Sequence, residues 1–312
     1  MDYIPLPDNA ARQVIDSITV FEEHARVRVE ARRFAGGMYW KQQGAYTYLV
    51  RTSAGKRQSR IGPRSPQTEQ TYARFSEGKQ AVEARLRSLR VALTEAERLN
   101  KAVKAGRTPA LVIGLLNTID HAGLRAHFAV VGTHALYAYE AAAGVRIAQG
   151  AMATQDVDLL WDARKRVQFV TDLDRIDGSM LKVLQRADPS FRRKEGQNET
   201  AINDKGFEVD FLRRMATGDD LHPFRFSADE DDLWPIQARR ASVLTEAPRF
   251  EHVVISATGR MASMRTISPR TFVDFKTWMG TAVPERPEPK RRRDLRQAAI
   301  VQALLEQGLL AV

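Results

Sequence analysis

The first third of the chain changes from alternating hydrophobic residues to a helical spacing. Residues 37–63 predict short strands joined by turns, because aromatic and apolar residues alternate along AYTYLV and SAGK is a typical hairpin turn. Ser65 and Pro66 are favoured at the start of a helix, and apolar residues then recur every three or four positions to about Lys104. The pattern therefore predicts a β-hairpin followed by a long helix.

Beyond the break at AGRTPA (residues 105–110), helices and strands are predicted to alternate. ALVIGLLNTIDHAG favours an amphipathic helix that ends near Gly123, HFAVVG a buried strand, and THALYAYEAAAG a helix that ends at Gly144. AMATQDVDLLWD (residues 151–162) then has the period of a strand. This order is typical of an α/β or α+β domain.

Two charged segments are predicted to lie between regular elements. RRKEGQNETAIND (residues 192–204) is predicted to be an exposed turn between strands, and PERPEPKRRR (residues 284–293) a connector before the final helix, DLRQAAIVQALLEQ. We place the domain boundary at AGRTPA. Residues 1–108 then form an N-terminal module, and residues 109–312 form a core with C-terminal helices from about 265 to 312.

The composition is that of a globular intracellular protein. Hydrophobic residues make up 43% and charged residues 28% of the chain, which excludes a disordered protein. The absence of cysteine excludes disulfides and thiolate metal sites and fits a reducing cytoplasm. The amino terminus, MDYIPLPDNAARQV, has no secretory signal, and the longest apolar stretch, near PALVIGLL, is too short to cross a bilayer. We therefore expect a cytoplasmic protein with no membrane partner.

Positive charge is concentrated in the first third of the chain. The formal net charge is +10, and residues 1–110 have 20 Lys and Arg against 11 Asp and Glu, whereas the rest has 28 against 27. This asymmetry predicts a polyanion partner, with a solvated basic surface as the alternative. The candidate nucleic-acid contacts are the basic residues that lie among aromatic ones: Lys41, Arg51, Lys56, Arg57 and Arg60. The aromatic residues could instead form the core of the hairpin.

Two aspartates one residue apart suggest a site for divalent cations. Asp156 and Asp158 lie on the same face of their predicted strand, about 7 Å apart at Cα, so their carboxylates can converge. Two like charges side by side are costly unless a positive charge lies between them. Magnesium prefers oxygen ligands, and two ions about 4 Å apart can promote phosphoryl transfer. The alternative is that one Asp is only a turn residue at the end of the strand.

Two further elements add to this pair. Gly132 and Thr133 follow the strand FAVV and precede a helix, so that the backbone can approach a ligand and the helix N-terminus can offer N–H groups to phosphate. Asp210, in GFEVDFLRR, lies opposite an apolar stripe and can join the pair if the two strands are neighbours. It could then bind metal or act as a general base. The alternative is an exposed acidic strand face that also carries Glu208.

The ordered set Gly132-Thr133, Asp156-x-Asp158 and Asp210 resembles the DNA polymerase β-type nucleotidyltransferase superfamily. Thr133 departs from the pattern of that superfamily, which more often has Ser or Gly at this position. Threonine keeps the hydroxyl that can contact phosphate, but its methyl group could crowd a triphosphate.

The C-terminal part of the chain carries a second resemblance. SPRTFVDFKTWM and RRRDLRQAAIVQALL are similar to the bacterial branch that contains abortive-infection and toxin-type nucleotidyltransferases. Those proteins have a Lys on one helix and an Arg-Asp or Lys-Asp pair at the start of another, which Lys276 and Arg293-Asp294 match. More narrowly, GGMYWKQQGAYTYLVRT, IGPRSPQTEQTYARF and VVGTHALYAYEAAAGV resemble a bacterial nucleotidyltransferase-fold family with its own basic N-terminal module, and this resemblance covers most of the chain.

The resemblance implies an α+β fold in which a mixed sheet flanked by helices forms a polymerase β-like core. It implies a nucleoside triphosphate and two Mg²⁺ or Mn²⁺ ions: Asp156 and Asp158 would bind both ions, and Asp210 would bind one and help to deprotonate the acceptor. Lys276 would neutralise triphosphate charge. The nucleotide-binding residues would be Gly132, Thr133, Lys276, Arg293 and Asp294. Asp294 could equally be the N-cap of the last helix.

We therefore expect an enzyme that transfers a nucleoside monophosphate from a triphosphate to a hydroxyl and releases pyrophosphate. The basic N-terminal module favours an RNA 3′ end, for example that of tRNA, as acceptor, and a protein hydroxyl is the alternative. The toxin-type branch implies a toxin–antitoxin or phage-defence role, with an antitoxin as partner. Two competing hypotheses are a catalytically silent nucleic-acid-binding protein of the same fold and a metal-dependent glycosyltransferase. The three carboxylates argue against the first, and the Gly-Thr turn and Asp210 fit the second less well.

Overall fold

The computed structural model describes residues 2–55, 57–152, 154–176, 178–218 and 220–311. The chain forms two compact units: a smaller unit, Arg12–Leu99, and a larger unit, Met1–Ala11 with Asn100–Val312. The smaller unit lies within the module predicted for residues 1–108. A short strand near the amino terminus, Tyr3–Pro5, instead pairs with Val145–Ile147 in the larger unit.

The bounds of the regular elements are as follows. The strands are β1 (Tyr3–Pro5), β2 (Gly37–Gln43), β3 (Tyr46–Thr52), β4 (Gln58–Pro63), β5 (Phe128–Val131), β6 (Val145–Ile147), β7 (Asp156–Trp161), β8 (Arg192–Lys194), β9 (Gln197–Ile202), β10 (Glu208–Arg213), β11 (Ile236–Gln237), β12 (Arg249–Ile255) and β13 (Met261–Ile267). The α-helices are α1 (Asp8–Ala31), α2 (Pro66–Ala102), α3 (Ala110–His121), α4 (Ala135–Ala143), α5 (Gln149–Met152), α6 (Arg166–Asp174), α7 (Met180–Gln185), α8 (Ala241–Glu246), α9 (Pro269–Thr281) and α10 (Glu288–Glu306).

The smaller unit combines a three-stranded antiparallel sheet with helical segments. Strand β3 lies between β2 and β4, so the predicted hairpin has a third strand. The predicted long helix is present as α2, and it packs on the sheet through Trp40 and Tyr72, whose ring centroids are 5.9 Å apart. Helix α1 was not predicted, although PLP (residues 5–7) precedes 24 helical residues that contain neither glycine nor proline. Val27 of α1 packs with Val82 and Leu89 of α2.

The larger unit is built around a mixed sheet with the strand order β12-β13-β5-β7-β10-β9-β8, and β11 also pairs with β10. Strands β7 and β10 are parallel, whereas β5 and β7 are antiparallel. Buried residues of α3, α6 and α7 pack on one face of this sheet, and those of α4, α8, α9 and α10 pack on the other. The predicted α+β arrangement, a mixed sheet flanked by helices, is therefore confirmed.

The two segments that were predicted to be irregular are ordered instead. Residues 192–204 contain the antiparallel pair β8 and β9, joined by a turn at Gly196 with φ +74°. The whole basic run at 290–293 lies inside α10, which begins at Glu288. Pro289 did not prevent this, because the first N–H groups of a helix have no partner within it. Among the described residues, no helix has the length and apolar character needed to cross a membrane.

Candidate active site

Three carboxylates meet where two neighbouring strands begin. The parallel register of β7 and β10 places Asp158 beside Asp210, and Asp156 beside Glu208. One carboxylate oxygen from each of Asp156, Asp158 and Asp210 lies within 4.8 Å of the other two. The same-face placement of the first two follows from the strand period, whereas the third joins them because β10 pairs directly with β7.

The alternation of side chains explains how this acidic group coexists with a packed core. Val157 and Leu159 of β7 point to the sheet face covered by α3, α6 and α7, and Val209 of β10 is buried there as well. The three aspartates therefore lie on the opposite face. Further along that face, Leu160 packs with residues of α4, α8 and α10.

The Gly132 turn lies directly beside the acidic group. Val131, at the end of β5, pairs with Asp158, and Gly132 then turns the chain with φ +66° towards α4. A Cβ atom at position 132 would overlap Asp158 Oδ2, so both the backbone angle and the available space require glycine. The next residue, Thr133, is buried, and its Oγ1 accepts a hydrogen bond from Gln297 Nε2 at 3.2 Å.

Two members of the acidic group have raised pKa values. Desolvation, followed by the charges of Asp156 and Asp210, raises the pKa of Asp158 to about 7, although Lys276 and Arg286 act in the opposite direction. Desolvation also raises the pKa of Asp210, against a hydrogen bond from Thr200 Oγ1 to Asp210 Oδ1 of 2.6 Å. Both shifts mean that the folded protein disfavours the ionised carboxylates here unless a cation is present.

A cavity of about 320 Å³ adjoins the carboxylates and is lined by both acidic and basic side chains. Asp156 and Asp158 contribute the acidic part of the wall. Gly132 and Thr133 also line the cavity. The basic lining residues are Arg239, Lys276, Arg286, Lys290 and Arg293. Apolar residues, among them Leu160, Phe275 and Trp278, complete the wall. The cavity thus places cationic groups opposite carboxylates, as a polyanion bound through metal ions requires.

Asp294 holds two of the basic residues at this cavity. It is fully buried, accepts a hydrogen bond from Lys276 Nζ at 2.7 Å, and forms a second ion pair with Arg286. Burial lowers the pKa of Lys276, and Asp294 opposes that shift. Because α10 begins at Glu288, the alternative that Asp294 caps this helix is wrong. Asp294 lies inside the helix and pairs with cations that line the cavity.

Sequence analysis missed two residues that hold parts of the candidate site in place. Arg286 stands in the proline-punctuated segment, and nothing in that pattern indicates that it pairs with Asp294. Gln297 lies one turn beyond Arg293 on α10, is fully buried, and donates to both Thr133 Oγ1 and the carbonyl of Ala151. An amide on the buried side of an amphipathic helix is the signal that could have identified it.

The basic residues predicted to contact nucleic acid occupy different environments. Arg51 donates to the carbonyls of Gly37, Thr52, Arg33 and Ala35, and its guanidinium lies 4.3 Å from the ring centroid of Phe75, which gives it a structural role in the smaller unit. By contrast, the other described members of the set are exposed: Lys41, Arg57 and Arg60. Lys56 lies outside the described residues.

A comparison with protein families identifies the family of this chain. A family model described as nucleotidyltransferase matches residues 110–311, which include the acidic group, the Gly132 turn and helices α9 and α10. Comparisons with curated proteins and with solved structures gave no match.

Proposed function

The chain belongs to the nucleotidyltransferase family, and we propose that it transfers a nucleoside monophosphate from a nucleoside triphosphate to a hydroxyl, with release of pyrophosphate. The observation that carries this proposal is the cavity in which Asp156 and Asp158 face basic side chains, with Asp210 beside them. The adjacent placement of the Gly132 turn, β7 and β10 also supports a DNA polymerase β-type core.

The residues of the acidic group fit divalent cations. They supply only carboxylate oxygens, which Mg²⁺ and Mn²⁺ prefer. Burial, and then the charges of neighbouring carboxylates, raise the pKa values of Asp158 and Asp210, and a bound cation would offset both effects. Asp156 and Asp158 would hold two ions, and Asp210 would hold one of them. When bound, such ions stabilise the charge that develops on the phosphoryl group during transfer.

The protein's own residues would position the triphosphate. Lys276 and Arg286 place positive charge in the cavity and are fixed by Asp294, so that they need not reorganise when the substrate binds. Gly132 lines the cavity, and its lack of a side chain lets the carboxylate of Asp158 lie directly against the turn. Lys290 and Arg293 add charge from the first turns of α10.

Asp210 is the proposed proton acceptor. Thr200 holds its Oδ1, which leaves Oδ2 to accept the proton of the attacking hydroxyl. The acceptor oxygen forms a bond to the α-phosphorus as the bond to the bridging oxygen breaks, and pyrophosphate leaves with the electron pair of that bond.

An RNA 3′ end is the favoured acceptor, because the excess positive charge lies in the first third of the chain. A protein hydroxyl is the alternative. The toxin-type branch and an antitoxin partner rest on the resemblance of the Lys276 and Arg293-Asp294 segments.

The test uses purified full-length protein with Mg²⁺ or Mn²⁺ and each α-labelled nucleoside triphosphate in turn. Total RNA and total cellular protein are offered separately as acceptors. We expect label in the RNA, with pyrophosphate as the second product, and no transfer by Asp156→Ala/Asp158→Ala. The control is Asp204→Ala/Asp231→Ala, which removes two carboxylates that are 72% and 88% exposed.

Each other outcome has a definite meaning. A nucleoside diphosphate as product, instead of pyrophosphate, would support the glycosyltransferase hypothesis. Label in protein would support the proposed transfer reaction and show that a protein hydroxyl, not RNA, is the acceptor. If no label moves but the protein binds RNA equally well with and without Asp156 and Asp158, the chain is a catalytically silent nucleic-acid-binding protein.

A further inference from the structure

The sheet of the smaller unit has one packed face and one open face. Trp40, Leu49 and Gly62 are in register on the packed face, where Leu49 is fully buried and Trp40 contacts Tyr72 of α2. Arg51 lies on this face as well, over Phe75 of α2. The cation–π contact and four carbonyl acceptors hold its guanidinium in place.

The open face is formed by the residues that alternate with these. Register pairs Lys41 with Tyr48, Gln43 with Tyr46 and Val50 with Arg60, so that all six point to the same side. A shallow cleft of about 180 Å³ on this face is lined by Lys41, Gln43, Tyr48, Val50, Gln58 and Arg60. We use the term open face for the six residues that line this cleft, together with Tyr39 and Tyr46.

The open face carries positive charge and belongs to a segment that has no acidic residues. Residues 31–68 contain eight Lys and Arg and no Asp or Glu. The guanidinium of Arg60 lies 3.9 Å from the ring centroid of Tyr48, which orients it across the cleft, and Lys41 is exposed next to it. Arg60 also donates to Gln43 Oε1, a neutral partner that leaves its charge unbalanced. Exposed cations on a surface attract phosphate over a distance that depends on salt.

Exposed aromatic and amide groups accompany these cations. Tyr46 is 65% exposed and Tyr39 is 38% exposed, whereas aromatic residues of the packed face contact α2. A tyrosine ring can stack on any nucleobase, and glutamine amides can bind base edges. An acidic protein would use the cations but would gain nothing from exposed rings that stack on bases.

We propose that the open face binds single-stranded RNA, and that this RNA is the acceptor of the transfer reaction, an inference that rests on the function proposed above. Lys41 and Arg60 contact phosphates, Tyr46 stacks on a base, and Gln43 and Gln58 contact base edges. Arg51 takes no part in binding.

Binding is measured by fluorescence anisotropy with full-length protein, a chelator and no nucleoside triphosphate, so that chemistry cannot contribute. The probe is a short labelled single-stranded RNA of mixed sequence. Lys41→Gln/Arg60→Gln should weaken binding roughly tenfold and reduce the slope of log affinity against log salt by about 1.4, since each lost phosphate contact removes about 0.7. Tyr46→Ala should weaken binding roughly tenfold without changing that slope.

The matched control is Arg74→Gln/Arg98→Gln, which removes two exposed positive charges from α2 and leaves the sheet intact. We expect affinity within about twofold of the wild type, since distant exposed charges are screened by salt. Circular dichroism of each variant verifies that the unit is folded.

Three results would overturn the inference: equal weakening by the control, wild-type affinity in both open-face variants, or competition by polyglutamate as effective as competition by unlabelled RNA. The two proposals fail separately. Transfer of label to protein, together with no RNA binding, would refute the RNA-binding site and support the proposed enzyme activity. RNA binding that depends on Lys41 and Arg60, with no label transferred to any acceptor, would support the RNA-binding site and refute the proposed enzyme activity.

Discussion

Lys276 in the larger unit and Arg60 in the smaller unit both carry a positive charge, but their surroundings differ. Lys276 is buried and donates to Asp294 at 2.7 Å, whereas Arg60 is exposed and lies over the ring of Tyr48. A charge in the interior needs a fixed partner, so packing sets its position. An exposed charge needs none and acts over a distance that salt controls. A fixed charge such as that of Lys276 suits a reaction that needs a cation at a defined position. An exposed charge such as that of Arg60 suits contact with a polyanion.

The largest effect on activity is expected for a substitution in the acidic group of the larger unit. Asp158→Asn should lower kcat by roughly 10⁴-fold, the order found when one member of a catalytic unit is removed, because an amide cannot replace a charged ligand. Pyrophosphate release at saturating nucleoside triphosphate measures it. Asp204→Asn, at a position 72% exposed, should retain wild-type kcat. Wild-type kcat in Asp158→Asn would exclude this residue from the active site.

The same substitution should alter how stability depends on pH in metal-free buffer. The pKa of Asp158 rises from 3.8 to about 7 on folding, so the folded state retains a proton that the unfolded state releases between these values. The free energy of unfolding therefore decreases as pH rises through that interval. Denaturant titrations at several pH values should give a smaller decrease for Asp158→Asn. Parallel curves for the two proteins would contradict the raised pKa.

The next effect tests the ion pairs of the buried Asp294. Asp294→Ala should lower the free energy of unfolding by about 3–5 kcal/mol, because it leaves the buried Lys276 and the partly buried Arg286 without their carboxylate. Chemical denaturation measures the change. Adding Lys276→Met should restore part of the loss, since one unpaired charge is then removed. A double variant less stable than Asp294→Ala would show that Lys276 is stabilised by other contacts.

A smaller effect is expected at the glycine turn. Gly132→Ala should cost roughly 1–3 kcal/mol of stability, because its φ is +66° and the added Cβ would overlap Asp158. Gly196→Ala is the matched control: its φ is +74°, but its Cβ would meet no atom within 4 Å. Activity should fall only in Gly132→Ala. Equal loss of activity in both variants would indicate a general effect on folding.

The smallest effect is expected for an exposed ion pair in the smaller unit. Arg64 and Glu69 are 2.8 Å apart, but their side chains are 61% and 52% exposed. Glu69→Gln should therefore change the free energy of unfolding by at most about 0.5 kcal/mol, and less at high salt. A loss as large as that of Asp294→Ala would remove the contrast between the two units.

Local residue patterns were sufficient for much of the site. The strand period placed Asp156 and Asp158 on one face, and the change from strand to helix identified Gly132. The long helix was recognised from its apolar spacing and from Ser65 and Pro66 at its start. These features depend on residues close in the chain, whose spacing dictates which side chains share a face.

Other features depend on segments far apart in the chain. Asp210 joins the acidic group because β10 packs beside β7, and Asp294 faces Lys276 because α10 packs on α9. Arg51 and Arg60 look alike in the sequence, yet alternate sides of one sheet give the first a structural role and leave the second exposed. The periodicity of a strand or helix is a local property, whereas the neighbour of each charge depends on which distant apolar surfaces are buried together.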